Sequence, residues 1–158
     1  MATITVAVGD PPYGRQRVYT ALRFSLVALH EGHQVNLFLL EDAVFAAKRG
    51  QKPPEMPVGE AGMPNCEELL GAAIQEGLTV KACRVCSVER GLRPEEMIEG
   101  VESASMVDLV DWVVQSDKTA FFRGQPLIER GDALWLPDVD PASDCLGVRP
   151  GGRVLWPN

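Results

Sequence analysis

A chain of 158 residues, 46% hydrophobic and 23% charged, has ordinary globular composition and enough length for one domain with a real core. Asp and Glu total 22 against 15 Lys and Arg, a net charge of -7, which argues against a general electrostatic affinity for nucleic acid or an anionic membrane. No apolar run approaches the roughly 18 residues of a membrane helix, and the opening MATITVAVGD lacks the regions of a signal peptide, so a cytoplasmic location is expected.

In chain order, residues 4–8 are a short β-branched run closed by Gly9-Asp10-Pro11-Pro12-Tyr13-Gly14, which reads as a strand and a loop. Val18, Ala21, Leu22, Ser25, Leu26 and Leu29 then recur at helical spacing up to Gly32. Residues 35–40 form a nearly continuous apolar strand, as in a parallel sheet covered on both faces. A short helix is expected over 41–50. The Pro- and Gly-rich stretch 51–64 is expected to be a mobile loop. Asn65 with Glu68 caps a helix bearing Leu69, Leu70, Ala73 and Ile74 and ending at Gly77, and a third strand runs from Leu78 to Cys83. Residues 101–105 suggest a fourth strand, Ser105 with Asp108 caps a helix carrying Leu109, Trp112 and Val113, and 119–122 fits a fifth strand. This alternation predicts an α/β fold, a Rossmann-like three-layer sandwich with a mostly parallel sheet of about five strands. The domain is expected over 1–122. The scattered prolines of 123–158 read as an irregular extension packed on that domain or on a neighbouring subunit.

Four cysteines, Cys66, Cys83, Cys86 and Cys145, are expected to be mostly reduced in the cytoplasm. Cys83 falls at the carboxyl end of the third strand, where open α/β sheets gather their sites. Lys81 and Arg84 flank it at a strand-to-helix junction, and both features favour a thiolate. Cys86, three residues on and expected to lie a turn deeper, would sit on the same side of a helix, in reach of accepting sulfur or closing a disulfide. Tyr13, Arg15 and Arg17 are candidates for an anionic substrate pocket near Cys83. Cys66 and Cys145 are read as structural.

The other motifs carry less. One Cys-x-x-Cys supplies only two of the four ligands a structural zinc needs, so no metal is expected. His30 and His33, at a helix end beside Gly32, lack the spacing of a metalloprotease motif. Residues 9–14 match no nucleotide-binding loop, Asp138, Asp140 and Asp144 are too irregular for a calcium loop, and no cofactor is expected. Trp112 reads as core, and Trp135 and Trp156 as candidates for burial against a neighbouring subunit.

Strand, Gly/Asp-rich loop, long helix, strand, Pro/Gly-rich loop, helix, strand, and then Cys83-x-x-Cys86-x-x-x-Arg90-Gly91-Leu92 form an ordered set that resembles the DsrE/DsrF-like family, from about Ile4 to Phe122. The resemblance implies a Rossmann-like parallel sheet and homo-oligomers, often trimers or hexamers. It also implies, for members in sulfur relay, persulfide sulfur on a cysteine eight residues before the Gly of the Arg-Gly pair, here Cys83. Cys86 matches a second cysteine seen in many members. The expected function is thus a persulfide carrier or sulfurtransferase subunit exchanging sulfur with donor and acceptor proteins or small sulfur species. Two rivals stand beside it: a thiol-disulfide switch using Cys83 and Cys86, and a non-catalytic oligomeric module that binds a small anion.

Overall fold

The computed structural model describes residues 1–53 and 64–122. The expectations for the extension 123–158, with Cys145, Trp135 and Trp156, and for most of the 51–64 loop, including its mobility, lie outside the described residues.

Among the described residues eleven elements follow one another: β1 (Thr3–Val8), α1 (Arg17–His30), β2 (Gln34–Leu39), a 3₁₀ segment (Glu41–Ala47), α2 (Cys66–Gln75), β3 (Thr79–Cys83), α3 (Arg84–Glu89), a 3₁₀ turn (Pro94–Glu96), β4 (Val101–Ala104), α4 (Met106–Gln115) and β5 (Lys118–Phe122). The strands form one parallel sheet in the order β4-β3-β2-β1-β5. The expected α/β sandwich is what the chain forms. The helix expected over 41–50 is a shorter 3₁₀ segment instead.

The side chains explain the layers. Val6, Val8, Val35, Leu37, Phe38, Leu39 and Val80 are fully buried, as the continuous apolar strands require when helices cover both faces. Strand alternation assigns those faces. Phe24 of α1 packs on Phe122, whose register partner is Val8, so α1 lies over the even-numbered residues of β1. Thr5 points the other way, bonding the Trp112 carbonyl at 3.3 Å and the Ser116 hydroxyl at 2.5 Å, so α4 covers the odd-numbered face. α2 packs beside α1.

Caps set the helix ends. The Asn65 side chain accepts from the Glu67 N–H at 2.9 Å, while its amide donates to Glu68. Gly32 and Gly77, at φ +80° and +102°, take the left-handed conformation past the ends of α1 and α2. At α4 the Ser105 and Asp108 side chains form a capping box, and Lys81 bonds the same carboxylate at 2.9 Å. The Ser105 hydroxyl, then its N–H, then Lys81 hold the Asp108 carboxyl well below the usual carboxylate range.

Candidate two-thiol site

Cys83 is the last residue of β3 and the residue from which α3 starts. The first turn of α3 folds back on it twice. The Cys86 N–H donates to the Cys83 sulfur at 3.4 Å, and the buried Ser87 hydroxyl donates to the Cys83 carbonyl at 2.9 Å. Cys83 is only 5% exposed, whereas Cys86 is half-buried. Accessibility therefore runs opposite to the sequence expectation, because the junction tucks its capping residue under the turn that it starts.

Burial, and then donation of its proton to Cys83, pushes the Cys86 thiol up, while the Glu41 N–H and the charge of Arg90 pull the other way. The Cys83 sulfur accepts the Cys86 N–H at the amino end of α3.

Other strand ends complete the site. Leu39 pairs with Ala82, so the chain leaving β2 passes beside Cys83. There Glu41 turns, and Asp42 accepts from Arg90 Nε at 2.8 Å. Arg90 also donates to the Cys86 carbonyl at 3.2 Å, tying α3 to the loop after β2. Gly9 continues β1 at the same edge, and a Cβ on it would lie 3.0 Å from a Glu41 carboxylate oxygen.

The expected site residues separate. Lys81 lies on the α4 face, 4.7 Å from the centre of the Trp112 ring and paired with Asp108, so its ammonium is engaged there. Arg84 is exposed at the start of α3, and Arg15 is exposed before α1. The Tyr13 hydroxyl donates to Gln51 at 2.8 Å and accepts from the Cys66 N–H at 3.3 Å, which ties the loop after β1 to the start of α2. Arg17 pairs with Asp10 at 2.7 Å. Cys66 is buried, donates to the Pro12 carbonyl and is pushed up to about 11 by burial. Its structural reading fits that setting.

Glu41, Asp42 and the role of Arg90 were not singled out from sequence. Arg90 stood only as part of the Arg-Gly landmark, although its spacing from Cys86 is one helical turn. Among the described residues, no group of three or more His, Cys, Asp or Glu could hold a metal ion. His30 pairs with Glu76, and His33 accepts from the Ala2 N–H at 3.2 Å. His33 and Glu76, the partner of His30, line a cleft of about 480 Å³ at the amino ends of the strands, away from the thiols.

Residues 2–122 match the model of the DsrE/DsrF-like family. An uncharacterised protein of Methanopyrus kandleri is 53% identical over 119 residues, covering 75% of this chain and 93% of its own. An uncharacterised protein of Methanocaldococcus jannaschii is 47% identical, covering 75% and 97%. The crystal structure of YchN from Escherichia coli superposes with a TM-score of 0.69 at 31% identity, covering 77% of this chain and all (100%) of that one.

Proposed function

We propose that this chain, which belongs to the DsrE/DsrF-like family, carries sulfane sulfur as a persulfide on Cys83 and serves as a persulfide carrier or sulfurtransferase subunit of a cytoplasmic sulfur relay. The observation that supports this best is the unequal pair of thiols. Cys83 ends β3 and accepts the Cys86 N–H on its sulfur at 3.4 Å, while burial and the neighbouring Cys83 push the Cys86 thiol up. In loading, the Cys83 thiolate attacks the outer sulfur of a donor persulfide; the donor S–S bond breaks as the new one forms, and the donor leaves as a thiolate. In unloading, an acceptor thiolate attacks the outer sulfur of the Cys83 persulfide in the same way. Neither step needs an external oxidant. Donors and acceptors are proteins or small sulfur species that reach Cys83 past the more exposed Cys86.

Intact mass after mild treatment with a sulfane-sulfur donor tests this reading. One adduct of about 32 Da per chain is expected, reversible by reductant. It should vanish in Cys83→Ser and persist in Cys66→Ser, Cys86→Ser and Cys145→Ser. An adduct retained by folded Cys83→Ser would overturn the assignment.

The placement of Cys83 and Cys86 on one turn, with the Cys86 N–H on the Cys83 sulfur at 3.4 Å, also favours a second reading, a thiol-disulfide switch. It predicts no sulfur adduct, but a loss of about 2 Da on mild oxidation, abolished in either single serine variant.

The chain is further proposed to act as a homo-oligomer, a trimer or hexamer. Val107, Val110 and Val114, at i, i+3 and i+7 on α4, are 68%, 53% and 77% exposed, an apolar stripe that a second copy of the chain would cover. Light scattering at micromolar concentration is expected to show the oligomer for the parent and dissociation for the Val107→Glu, Val110→Glu double variant. A monomeric parent refutes it.

A further inference from the structure

Cys83 is buried, yet a sulfur donor has to reach its sulfur. The first turn of α3 folds back on that sulfur, and α3 is a helix of 6 residues of which only Ser87 is buried. Arg84, Val85, Val88 and Glu89 are exposed, so little apolar burial holds this turn down. Further along, the chain is stitched to the 3₁₀ segment by backbone bonds, from the Arg49 N–H to the Glu96 carbonyl at 2.9 Å and from the Ile98 N–H to the Ala47 carbonyl at 2.8 Å. Nearer the thiols the tie is made by side chains. Arg90, which caps the end of α3, donates from Nε to Asp42 at 2.8 Å and from Nη1 to the Cys86 carbonyl at 3.2 Å. One guanidinium thus joins the start of the 3₁₀ segment to the backbone of the turn over Cys83.

We propose that Arg90 and Asp42 are positioning residues that form a latch: closed, it holds α3 over Cys83, and its release admits the sulfur donor. The planar fork of arginine serves both acceptors at once, which a lysine ammonium on a flexible stem does poorly. Release breaks two hydrogen bonds and uncovers a short helix with one buried residue, so opening is local and leaves the sheet intact. Asp42 is 55% exposed, within reach of solvent or of an incoming partner that competes for Arg90. This rests on the reading of Cys83 as the sulfur carrier, but its test reads access to the thiol and needs no loading.

The test is the rate of iodoacetamide alkylation of Cys83 in the folded protein, localised by peptide mass, with the buried Cys66 as internal reference, in Arg90→Gln, Asp42→Asn and the double variant. Each single variant should raise the Cys83 rate by about three- to tenfold with Cys66 unchanged. The double variant should go no further than the faster single, because both remove one shared bond. Charge alone predicts otherwise: losing the cation disfavours a nearby thiolate and losing the anion favours it, so the two singles would move in opposite directions. A Cys83 rate that is unchanged or slower in folded Arg90→Gln, a parallel rise at Cys66, or effects that multiply in the double variant overturns the proposal. Should Arg90→Gln not fold, Arg90→Lys decides, since it keeps the charge and loses the fork: a faster Cys83 supports the latch and an unchanged one overturns it. Latch variants that alkylate as expected while the parent takes up no sulfur support the latch and count against the carrier reading, which keeps the two failures apart.

Discussion

Truncation of Phe38 to alanine is expected to lower the unfolding free energy by about 3–5 kcal/mol, read from denaturant midpoints at unchanged slope. Phe38 is wholly buried in β2 and is among the largest of the fully buried side chains. Its ring meets the Trp112 ring edge-on with centroids 6.0 Å apart. Trp112 in turn underlies the Lys81 ammonium, whose partner Asp108 caps α4. Removing the Phe38 ring therefore costs its transfer free energy and leaves a cavity beneath the one helix described on that face. Trp fluorescence should respond as well, because Trp112 loses the ring that orients it. A loss below about 1 kcal/mol would show that α4 collapses onto the vacancy and that this face is loosely packed.

Alkylation at about pH 7.5 should separate the thiols of the site from Cys66 by a large factor. With its thiol pushed up to about 11, Cys66 has a thiolate fraction roughly 300-fold below that of an ordinary cysteine near 8.5, and burial excludes the reagent besides. The sign follows from the direction of the shift: a raised thiol is more protonated at any given pH, so reactivity appears only as the pH climbs toward the raised value. Cys86, the more exposed of the pair, should label first in the folded protein, the buried Cys83 after it, and Cys66 only on unfolding. Labelling of Cys66 at a rate comparable to Cys86 would show that α2 opens locally, and Cys66 could no longer serve as the inert reference thiol.

The elements legible in the chain were those whose signal is local. The β-branched run at 4–8 and the apolar run at 35–40 became β1 and β2 within a residue at each end, and Gly32, Asn65, Gly77 and Ser105 with Asp108 stopped or started helices where expected, because caps and left-handed turns act within one helical turn. The 41–50 stretch departs from the expected helix: its alanines suit one, but the 3₁₀ segment ends at Ala47 and Lys48 bridges Met97 across the fold. The resemblance to the DsrE/DsrF-like family was carried by the same local order, and the family match covers residues 2–122.

By itself, then, the sequence determined the α/β class, the strand and helix order and the placement of Cys83 at a strand end, because hydrophobic period, caps and turns are encoded within a few residues. Only the tertiary structure decided what surrounds the thiols. Lys81 is two residues from Cys83, yet its charge goes to Asp108 of α4, 27 residues away. Arg90 and the Glu41 N–H, from α3's end and the loop after β2, act on Cys86 instead. A charge or an N–H acts through space over a few ångströms, and that distance is set by which strands lie side by side in the sheet, a property that no short window of the chain contains.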